Sequence, residues 1–564
     1  MEFTRPKSMK WHGWGHPHFT FPMEDKPELW PFVREKLGIE RDLYQPPVDL
    51  ASIQFPAIRL SSAKLESLVE LVGAEFVSTD SFERLTHAFG KSFPDLWRAR
   101  KGIVESAPDV VVWPSSHENV VEIVEWAKKN SVHVIPFGGG TNIVNALEVK
   151  PEAKLPVISL DMRSMDELIE IDAESNLALL EAGATGPVLE AKLLEHGFSL
   201  GHFPDSFEFS TLGGWIATRS AGMQSDAYGR IEDMVETLHA VTGEHVLEMK
   251  PFPATSAGPD VVAPLIGSEG SFGVITRAWM RVHRVPQKKK YVGFLFKSFA
   301  QGLEAVKACH DADIKPSLVR LQDEGETELA FHLKSPKPIH KTVVEMPVKK
   351  LLKTLGYTRP SIMVVGFEGS AEQVEFRAQW AARVFKKLGG FPLGDSIGDA
   401  WSKDKYNTPY LRDYVMDYGG MADVAETSTS WNNLFDLHAK VLAAVEEGAR
   451  LEGVSHYVGC HLSHTYTTGG CLYFTWAMLG GDQTLERYYR MKARVTDAIV
   501  TAGGTLSHHH AVGTEHLPWL AHELGTGGAA VLKSFKRMFD PKDVFNPGGL
   551  KTGRSHKYLG ESRG

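Results

Sequence analysis

The sequence predicts an α+β protein with at least two domains. Its 564 residues exceed the roughly 100 to 200 residues of one domain, and 43% of them are hydrophobic, which is enough for more than one buried core. From Ala107 onward, short aliphatic runs alternate with helical patterns. Three loops rich in glycine, serine and threonine stand at the ends of predicted strands. Three such loops in one domain favour the binding of a long, polar cofactor that carries phosphates.

The composition excludes several classes of protein. The formal net charge is -9 and is spread without long blocks of one sign, which argues against nucleic-acid binding. The three cysteines stand at no metal-ligand spacing, so neither a disulfide framework nor a zinc site is expected. No run approaches the roughly 20 apolar residues that cross a bilayer, and no apolar signal core follows the first charges. We therefore expect a cytoplasmic protein.

Residues 1–106 are expected to form an aromatic and helical extension. Residues 10–19 combine histidines with tryptophan, and Ala63 to Val72 has a helical pattern. The histidines suggest a metal site, but glycine and proline interleave them and no carboxylate or cysteine completes a ligand set. We favour an aromatic arm that packs over the rest of the protein.

Residues 107–285 are predicted to form one domain in which strands and helices alternate. Ser115 and Glu118 form a capping box, which should begin a helix with one apolar face. The predicted strands cover residues 110–113, 132–135, 156–160, 168–171 and 177–181.

The loop Pro136-Phe137-Gly138-Gly139-Gly140-Thr141-Asn142 directly follows the second of these strands. Three glycines place no Cβ in the way, so consecutive N–H groups can converge on an anion such as a diphosphate. The loop lacks the lysine of a nucleoside-triphosphate loop. Taken alone, a glycine triplet is as typical of a structural turn as of a ligand site.

Two later loops have the same character. Both combine small hydroxyl residues with glycines, and the second stands before a predicted strand. They are Pro204-Asp205-Ser206-Phe207-Glu208-Phe209-Ser210-Thr211-Leu212-Gly213-Gly214-Trp215 and Gly267-Ser268-Glu269-Gly270-Ser271-Phe272-Gly273-Val274-Ile275-Thr276.

Residues 286–525 are predicted to form a second domain that covers a substrate. Lys288 to Lys290 is expected to be a solvated linker at its start. The histidine triplet at residues 508–510 is unusual, and because neighbouring side chains point in different directions, at most two of the three can face one site. Residues 526–564 are predicted to contain a terminated helix that packs back on the body.

Several of these segments resemble those of the vanillyl-alcohol-oxidase-like flavoproteins and, within them, the alkyldihydroxyacetonephosphate synthase family. The similarity spans nearly the whole chain, and the histidine triplet is its most specific part. It is carried by Lys10-Trp11 with Gly13-Trp14-Gly15, Gly138 to Thr141, Pro204 to Ser206 with Glu208 to Thr211, Tyr228-Gly229 with Ile231 to Asp233, Gly258 to Asp260, Gly267 to Gly270, Arg320-Leu321 with Asp323, Glu426 to Ser428, and Ser507 to His510.

This resemblance implies a two-part FAD-binding domain of vanillyl-alcohol-oxidase type, an α/β cap domain and a helical N-terminal extension. The implied cofactor is FAD, bound non-covalently because Thr141 stands where some relatives carry a flavin-linking histidine. The residues expected to bind FAD are Pro136, Gly138, Gly139, Gly140, Thr141, Asn142, Pro204, Asp205, Ser206, Ser210, Thr211, Gly214, Trp215, Gly267, Ser268, Glu269, Gly270, Gly273, Val274 and Ile275.

The resemblance also implies a non-redox transfer in which the acyl chain of acyl-dihydroxyacetone phosphate is exchanged for a long-chain fatty alcohol. The product carries the ether bond of ether lipids. Arginine forks suit a phosphate substrate, and cations such as Arg412 are expected to lower the pKa of the Tyr473 phenol from about 10. The matching residues are the acid/base Tyr473, the arginines Arg320 and Arg412, and the triplet His508, His509 and His510.

The main alternative is an FAD-dependent D-2-hydroxyacid dehydrogenase of the same superfamily. That group commonly carries a metal-binding histidine where Tyr473 stands and a carboxylate where His509 stands. Both ligands are missing here, so we favour the transferase and expect no metal. A flavin-binding protein without catalysis would have no reason to keep the arginines, Tyr473 and the triplet together. Tyr473 itself has a structural alternative as a core residue beside Phe474 and Trp476.

The chain departs from the family pattern at a few positions. Ala511 stands where glycine is usual, and Phe203 stands where glutamate is usual. No C-terminal Ser-Lys-Leu is present, so the peroxisomal location of animal members is not carried over. The lipid substrates imply peripheral membrane contact, and a homodimer is a further expectation.

Overall fold

The computed structural model describes residues 3–150, 153–333 and 352–552. Three β-sheets of four, five and seven strands carry the fold, and a two-stranded ribbon lies beside them. Helices pack against the sheets throughout the described ranges. This mixture confirms the predicted α+β class.

The four-stranded sheet holds the first glycine loop at the end of one strand. Val110–Val112, Val157–Asp161 and His133–Phe137 are parallel, and Val77–Ser78 adds an antiparallel edge. The central strands are almost entirely buried, and for this reason they appear in the sequence as continuous apolar runs. The strand His133–Phe137 delivers the chain directly into residues 138–142.

The helix His117–Asn130 begins one residue later than its predicted capping box implies. Ser116, not Ser115, is its N-cap, because the Ser116 hydroxyl accepts the Asn119 N–H at 3.1 Å. The Asn119 side chain in turn accepts the Ser115 N–H at 3.2 Å. The predicted apolar face is fully buried against the sheet.

The five-stranded sheet is antiparallel and holds the third glycine loop. That loop leads into its central strand, Gly273–Arg281. The strands are, in spatial order, Leu168–Asp172, Leu177–Glu181, Gly273–Arg281, Val235–Thr242 and Val246–Glu248. The ribbon beside it pairs Phe198–Ser199 with His283–Arg284.

The seven-stranded sheet is antiparallel and forms one wall of the candidate site. In spatial order its strands are Phe391–Gly394, Lys288–Phe296, Ser361–Gly369, Leu318–Gln322, His456–Thr465, Gly469–Leu479 and Gly420–Ser430.

The prediction that Lys288 to Lys290 is a solvated linker is wrong. These lysines are the first residues of an interior strand of the seven-stranded sheet and pair with Gly369 to Phe367. Their ammonium groups reach carboxylates: Lys288 and Lys290 lie 2.6 and 3.0 Å from Glu375. The long aliphatic stem of lysine can pack along a strand while the charged ammonium group at its end reaches a carboxylate beyond the strand.

Helices fill the space between and outside the sheets. They are Leu29–Leu37, Ser62–Val72, Ser81–Thr86, Phe93–Arg100, His117–Asn130, Gly186–Leu194, Leu212–Thr218, Ser225–Tyr228, Ile231–Met234, Phe299–Asp311, Glu324–His332, Ala371–Lys387, Asp395–Asp404, Thr408–Asp417, Leu434–Glu452, Thr484–Thr501 and Leu517–Phe539. Within the described ranges, none combines the length and apolar character that a membrane span requires.

The N-terminal aromatic arm packs over the body, as the sequence predicts. The Trp14 N–H donates to the Asp413 carboxylate at 2.6 Å, and the Lys10 ammonium lies 3.7 Å from the same group. The Trp14 ring meets Phe209 edge-on, with centroids 5.8 Å apart. The arm therefore ties the helix Thr408–Asp417 to the second glycine loop.

The C-terminal segment returns to the four-stranded sheet. After the helix Leu517–Phe539, the carbonyl of Val544 accepts the Val134 N–H at 2.8 Å, and the Asn546 N–H donates to Val134 at 3.0 Å. Asp540 fixes this turn: its carboxylate accepts the N–H groups of Val544 and Phe545 at 2.9 and 2.8 Å.

We predict that Asp540→Asn lowers the melting temperature markedly, whereas Asp543→Asn does not. Both carboxylates pair with Lys536, at 2.7 and 2.9 Å. Only Asp540 also accepts two buried N–H groups, and an unsatisfied buried donor costs about 1–3 kcal/mol. The exposed Asp543 pair is worth less than about 1 kcal/mol. Thermal unfolding followed by intrinsic fluorescence measures both variants, and equal shifts would contradict the assignment.

Candidate active site

Tyr473 stands in the middle of a row of side chains across the seven-stranded sheet. It is the cross-strand neighbour of His461 on one side and of Glu426 on the other. Residues of its strand alternate: Phe474 and Trp476 are fully buried in the core, whereas Tyr473 is only partly buried. Since side chains alternate across a strand, the tyrosine faces away from the core that its two neighbours fill.

Tyr473 and His461 of this row line a cavity of about 1080 Å³. The volume is at the upper end of small-molecule pockets, roughly 300–1,000 Å³. All three glycine loops line it, together with Arg320, Arg412, Tyr473, His509 and His510. Of the residues that the sequence suggests for the site, only Gly267 and His508 do not line the cavity.

The Glu426 carboxylate holds the histidine loop in place. It accepts the N–H groups of His508, His509 and His510 at 2.6, 3.0 and 2.8 Å and the Ser507 hydroxyl at 2.7 Å. His509 and His510 line the cavity and His508 does not, so two of the three histidines face one site, the maximum that the sequence allows.

His508 lies behind the cavity wall. Its Nε2 is hydrogen-bonded to the Tyr466 hydroxyl, and its ring stacks on His464 with centroids 5.1 Å apart. Burial, followed by the neighbouring histidines and Arg230, lowers the pKa of His508 well below its usual value. We infer that it supports the loop and does not contact a ligand.

A carboxylate that the sequence analysis missed connects Arg320 with His461. The Glu326 carboxylate accepts Arg320 Nη2 at 2.6 Å and lies 2.7 Å from His461 Nδ1. Burial opposes ionisation of Glu326, but its interactions with His461 and Arg320 outweigh burial and lower its pKa to about 2. In the sequence, His461 stands between two runs of strand-forming residues, and this pattern does not distinguish a site histidine from a structural one.

Arg412 is connected to the first glycine loop through the backbone of one residue. Its Nη1 donates to the carbonyl of Lys91 at 2.7 Å, and the Lys91 N–H donates to the carbonyl of Asn142 at 2.6 Å. The Lys91 ammonium donates to the carbonyl of Lys10 in the aromatic arm at 2.7 Å. Arm, glycine loop and arginine thus meet at Lys91.

The expectation that nearby cations lower the pKa of Tyr473 is wrong. Burial raises the pKa of Tyr473 well above its usual value, and the carboxylates of Asp205 and Glu426 raise it further, against an opposing effect of Arg320. The phenol is therefore protonated at neutral pH. Its hydroxyl makes no hydrogen bond within the described ranges and is free to donate to a ligand.

The first glycine loop fits a diphosphate. The N–H groups of Gly139, Gly140 and Thr141 have no acceptor among the residues that the structure describes. A Cβ at Gly139 would overlap the carbonyl oxygen of Phe209 in the second loop. Glycine is thus required for the contact between two loops, a reason that the sequence alone does not reveal.

The third loop is tied to the histidine loop. The Glu269 carboxylate accepts the N–H groups of Val512 and Gly513, both at 2.8 Å. Ala511, directly before Val512, has a φ of 73°, in the region that glycine adopts most easily. This geometry explains why glycine is the usual residue at that position in the resembling family.

One group near the cavity has the composition of a metal site. Ligand atoms of Glu426, Cys471, His508 and His509 all lie within 4.8 Å of one another. Glu426 is already engaged by four donors, and Nδ1 of His508 lies 2.9 Å from Nδ1 of His509. Burial raises the pKa of the Cys471 thiol well above its usual value. A metal would have to displace these hydrogen bonds, and we assign none here.

Two family descriptions match the chain. Residues 108–246 match "FAD binding domain", and residues 285–550 match "FAD linked oxidases, C-terminal domain". The three loops lie within or next to these ranges. FAD is therefore the cofactor, and we propose the free N–H groups of the first loop as the donors to its diphosphate.

We predict that Gly139→Val yields protein without bound FAD. The branched side chain forces the first two loops apart and destroys the cradle. Gly527→Val is the control, because a Cβ at Gly527 meets no atom within 4 Å. The FAD freed by acid precipitation is measured by absorbance; wild type should release all of it, since attachment is expected to be non-covalent. Normal FAD content in the Gly139 variant would place the cradle elsewhere.

Three relatives that are 30 to 38% identical to the chain carry one name. The alkyldihydroxyacetonephosphate synthase of Trypanosoma brucei brucei is 38% identical over 86% of this chain and 80% of its own, and that of Dictyostelium discoideum is 37% identical over 96% and 93%. A solved alkyldihydroxyacetonephosphate synthase structure superimposes with a TM-score of 0.84 at 34% identity, covering 96% of this chain and 98% of that one. The chain belongs to the alkyldihydroxyacetonephosphate synthase family of FAD-dependent enzymes.

Proposed function

We propose that the protein exchanges the acyl chain of acyl-dihydroxyacetone phosphate for a long-chain fatty alcohol. One C–O bond breaks and one forms, so the substrate undergoes no net oxidation. A single observation carries the proposal: one cavity joins the FAD loops, two arginines with free donors and an apolar arm. A hydroxyacid substrate would need no such arm.

The phosphate end is assigned to Arg320 and Arg412. Both line the cavity, and the Nε of each is buried without a hydrogen-bond partner in the described part of the chain. A buried donor without a hydrogen-bond partner destabilises the protein when no ligand is bound. A phosphate that bridges the two guanidinium groups would satisfy them with charge-assisted hydrogen bonds.

The alkyl end is assigned to an apolar arm of the cavity. Three helices form it: Leu29–Leu37, Glu324–His332 and Thr408–Asp417. Each buried methylene contributes about 0.8 kcal/mol, so a chain of many methylenes gains substantial binding free energy here. The apolar lining residues are Phe32, Val33, Leu37, Leu329, Leu411 and Val415.

Proton movement is assigned to Tyr473. When bound, FAD supplies the reactive ring chemistry. The Tyr473 phenol, protonated and without a protein partner, can donate its proton to the carboxylate oxygen that leaves. His509 and His510 line the same cavity and complete its polar wall.

The dehydrogenase alternative is weaker. By the family resemblance, Tyr473 and His509 stand at the two positions where that group carries its metal ligands, and both line the cavity. Peripheral membrane contact is part of this proposal, because the lipid substrates must leave a membrane to enter the apolar arm.

We predict that the purified enzyme forms an ether product from palmitoyl-dihydroxyacetone phosphate and hexadecanol and releases palmitate. Mass spectrometry of the products tests the proposal directly. EDTA should not reduce the rate, because no step is assigned to a metal. Oxidation of D-2-hydroxyacids with no ether product, or loss of activity on chelation, would support the dehydrogenase instead.

We predict that Tyr473→Phe lowers kcat by about 10²- to 10⁴-fold while the protein stays folded and keeps FAD. A structural tyrosine would keep most of its turnover, because phenylalanine retains the ring and the Tyr473 hydroxyl has no hydrogen-bond partner within the described ranges. Tyr357→Phe is the matched control, because Tyr357 does not line the cavity and its hydroxyl donates to the Gly389 carbonyl at 2.8 Å. Turnover within a few-fold of wild type in the Tyr473 variant would remove the assignment.

A further inference from the structure

We propose that His461 is a second proton-transfer residue of this site, the group that accepts the proton of the incoming alcohol, and that Glu326 is its positioning residue. The inference rests on the proposed function, because the alcohol is the substrate of that reaction. It divides two roles between neighbours: Tyr473 donates a proton and His461 accepts one.

The geometry places His461 beside Tyr473 in the cavity. The two residues are cross-strand neighbours, and their rings stack with centroids 5.0 Å apart and planes 24° apart. Both side chains line the cavity. A group that reaches the phenol therefore lies within reach of the imidazole as well.

Glu326 fixes which nitrogen of His461 faces the ligand. Its ionised carboxylate lies 2.7 Å from Nδ1, so Nδ1 carries the hydrogen and donates it. Nε2 is then the acceptor, and it has no hydrogen-bond partner among the described residues. The Glu326 carboxylate is itself fixed by Arg320 Nη2 at 2.6 Å. A carboxylate that orients an imidazole in this way is the usual arrangement of a histidine base.

Burial keeps His461 neutral. Burial lowers its pKa, Arg320 lowers it further, and Glu326 and Asp205 oppose both effects. Tyr473 on the neighbouring strand stays protonated. Two adjacent groups, one able to accept and one able to donate at neutral pH, form an acid/base pair.

The other histidines on the cavity are less suited to this role. His509 and His510 lie 3.6 and 3.5 Å from Glu426, whose oxygens already accept backbone N–H groups. His464 stacks on His508 and its Nδ1 is buried without a partner. Within the described chain, His461 is the cavity histidine with a carboxylate at hydrogen-bond distance.

The proton step balances within the proposed reaction. The acyl C–O bond to the substrate carbon breaks, and the fatty acid leaves as a carboxylic acid with the Tyr473 proton. When the alcohol oxygen bonds to the same carbon, its O–H proton passes to His461 Nε2. His461 then returns its proton to Tyr473 through the cavity, so both groups are restored without any redox partner.

The test compares His461→Gln with a matched buried pair. His438 lies 3.0 Å from Asp323 and does not line the cavity, so His438→Gln removes a similar His–carboxylate contact outside the site. We expect His461→Gln to lose about 10²- to 10⁴-fold in kcat with FAD content and KM for acyl-dihydroxyacetone phosphate within a few-fold of wild type. His438→Gln should lose stability but keep kcat.

The pH profile and a second variant separate catalysis from structure. Wild-type kcat should fall as pH drops and protonates His461, below its usual pKa of about 6.5, and this acid limb should vanish in His461→Gln. Glu326→Gln should lower kcat and also raise KM, because it releases Arg320. Wild-type kcat with an unchanged acid limb in His461→Gln overturns the inference. Absence of ether product from the wild type refutes the proposed function instead, and the inference with it.

Discussion

The buried Glu426 carboxylate is the interaction on which the site depends. It projects from the strand next to Tyr473 and accepts three consecutive backbone N–H groups of the histidine loop. A buried carboxylate is tolerated only when its oxygens are satisfied. The same contacts determine where His509 and His510 lie relative to Tyr473. Without Glu426, the loop would have no polar anchor on the sheet, and the two sides of the cavity would no longer be in register.

Much of the FAD-binding half could be predicted from the sequence, because its signals are local. The strand before Gly138 and the glycines that follow it are neighbours in the chain, and the hydroxyl residues and glycines of the second loop are neighbours of one another. Even in this half, the requirement for glycine at position 139 could be predicted only in part, because the Phe209 carbonyl that a Cβ would overlap is distant in the sequence. The capping error at Ser115 has a similar origin, since two adjacent serines offered two caps and only backbone geometry chooses between them.

The substrate half was less predictable, because its site is assembled across strands. Tyr473, His461 and Glu426 form one row, although 35 residues separate His461 from Glu426 in the sequence and 135 separate His461 from Glu326. No local sequence pattern indicates which residues of different strands become neighbours in the sheet. The alternation of Tyr473 with the buried Phe474 and Trp476 was available as a signal, and it argues that the tyrosine belongs to the cavity and not to the core. The prediction of a lowered Tyr473 pKa was wrong because burial, which the sequence does not show, outweighs the effect of Arg320.

The contacts of Lys91 make two binding events interdependent. Its N–H is bonded to Asn142 in the loop that receives the cofactor, and its carbonyl is bonded to Arg412, which we assign to the phosphate of the substrate. A ligand that orders one of these groups restricts the other through a single peptide backbone. Thermodynamic linkage is reciprocal: any factor by which bound cofactor raises the affinity for the substrate is also the factor by which the substrate retains the cofactor. We therefore expect the proposed lipid substrate to slow the loss of FAD from the enzyme.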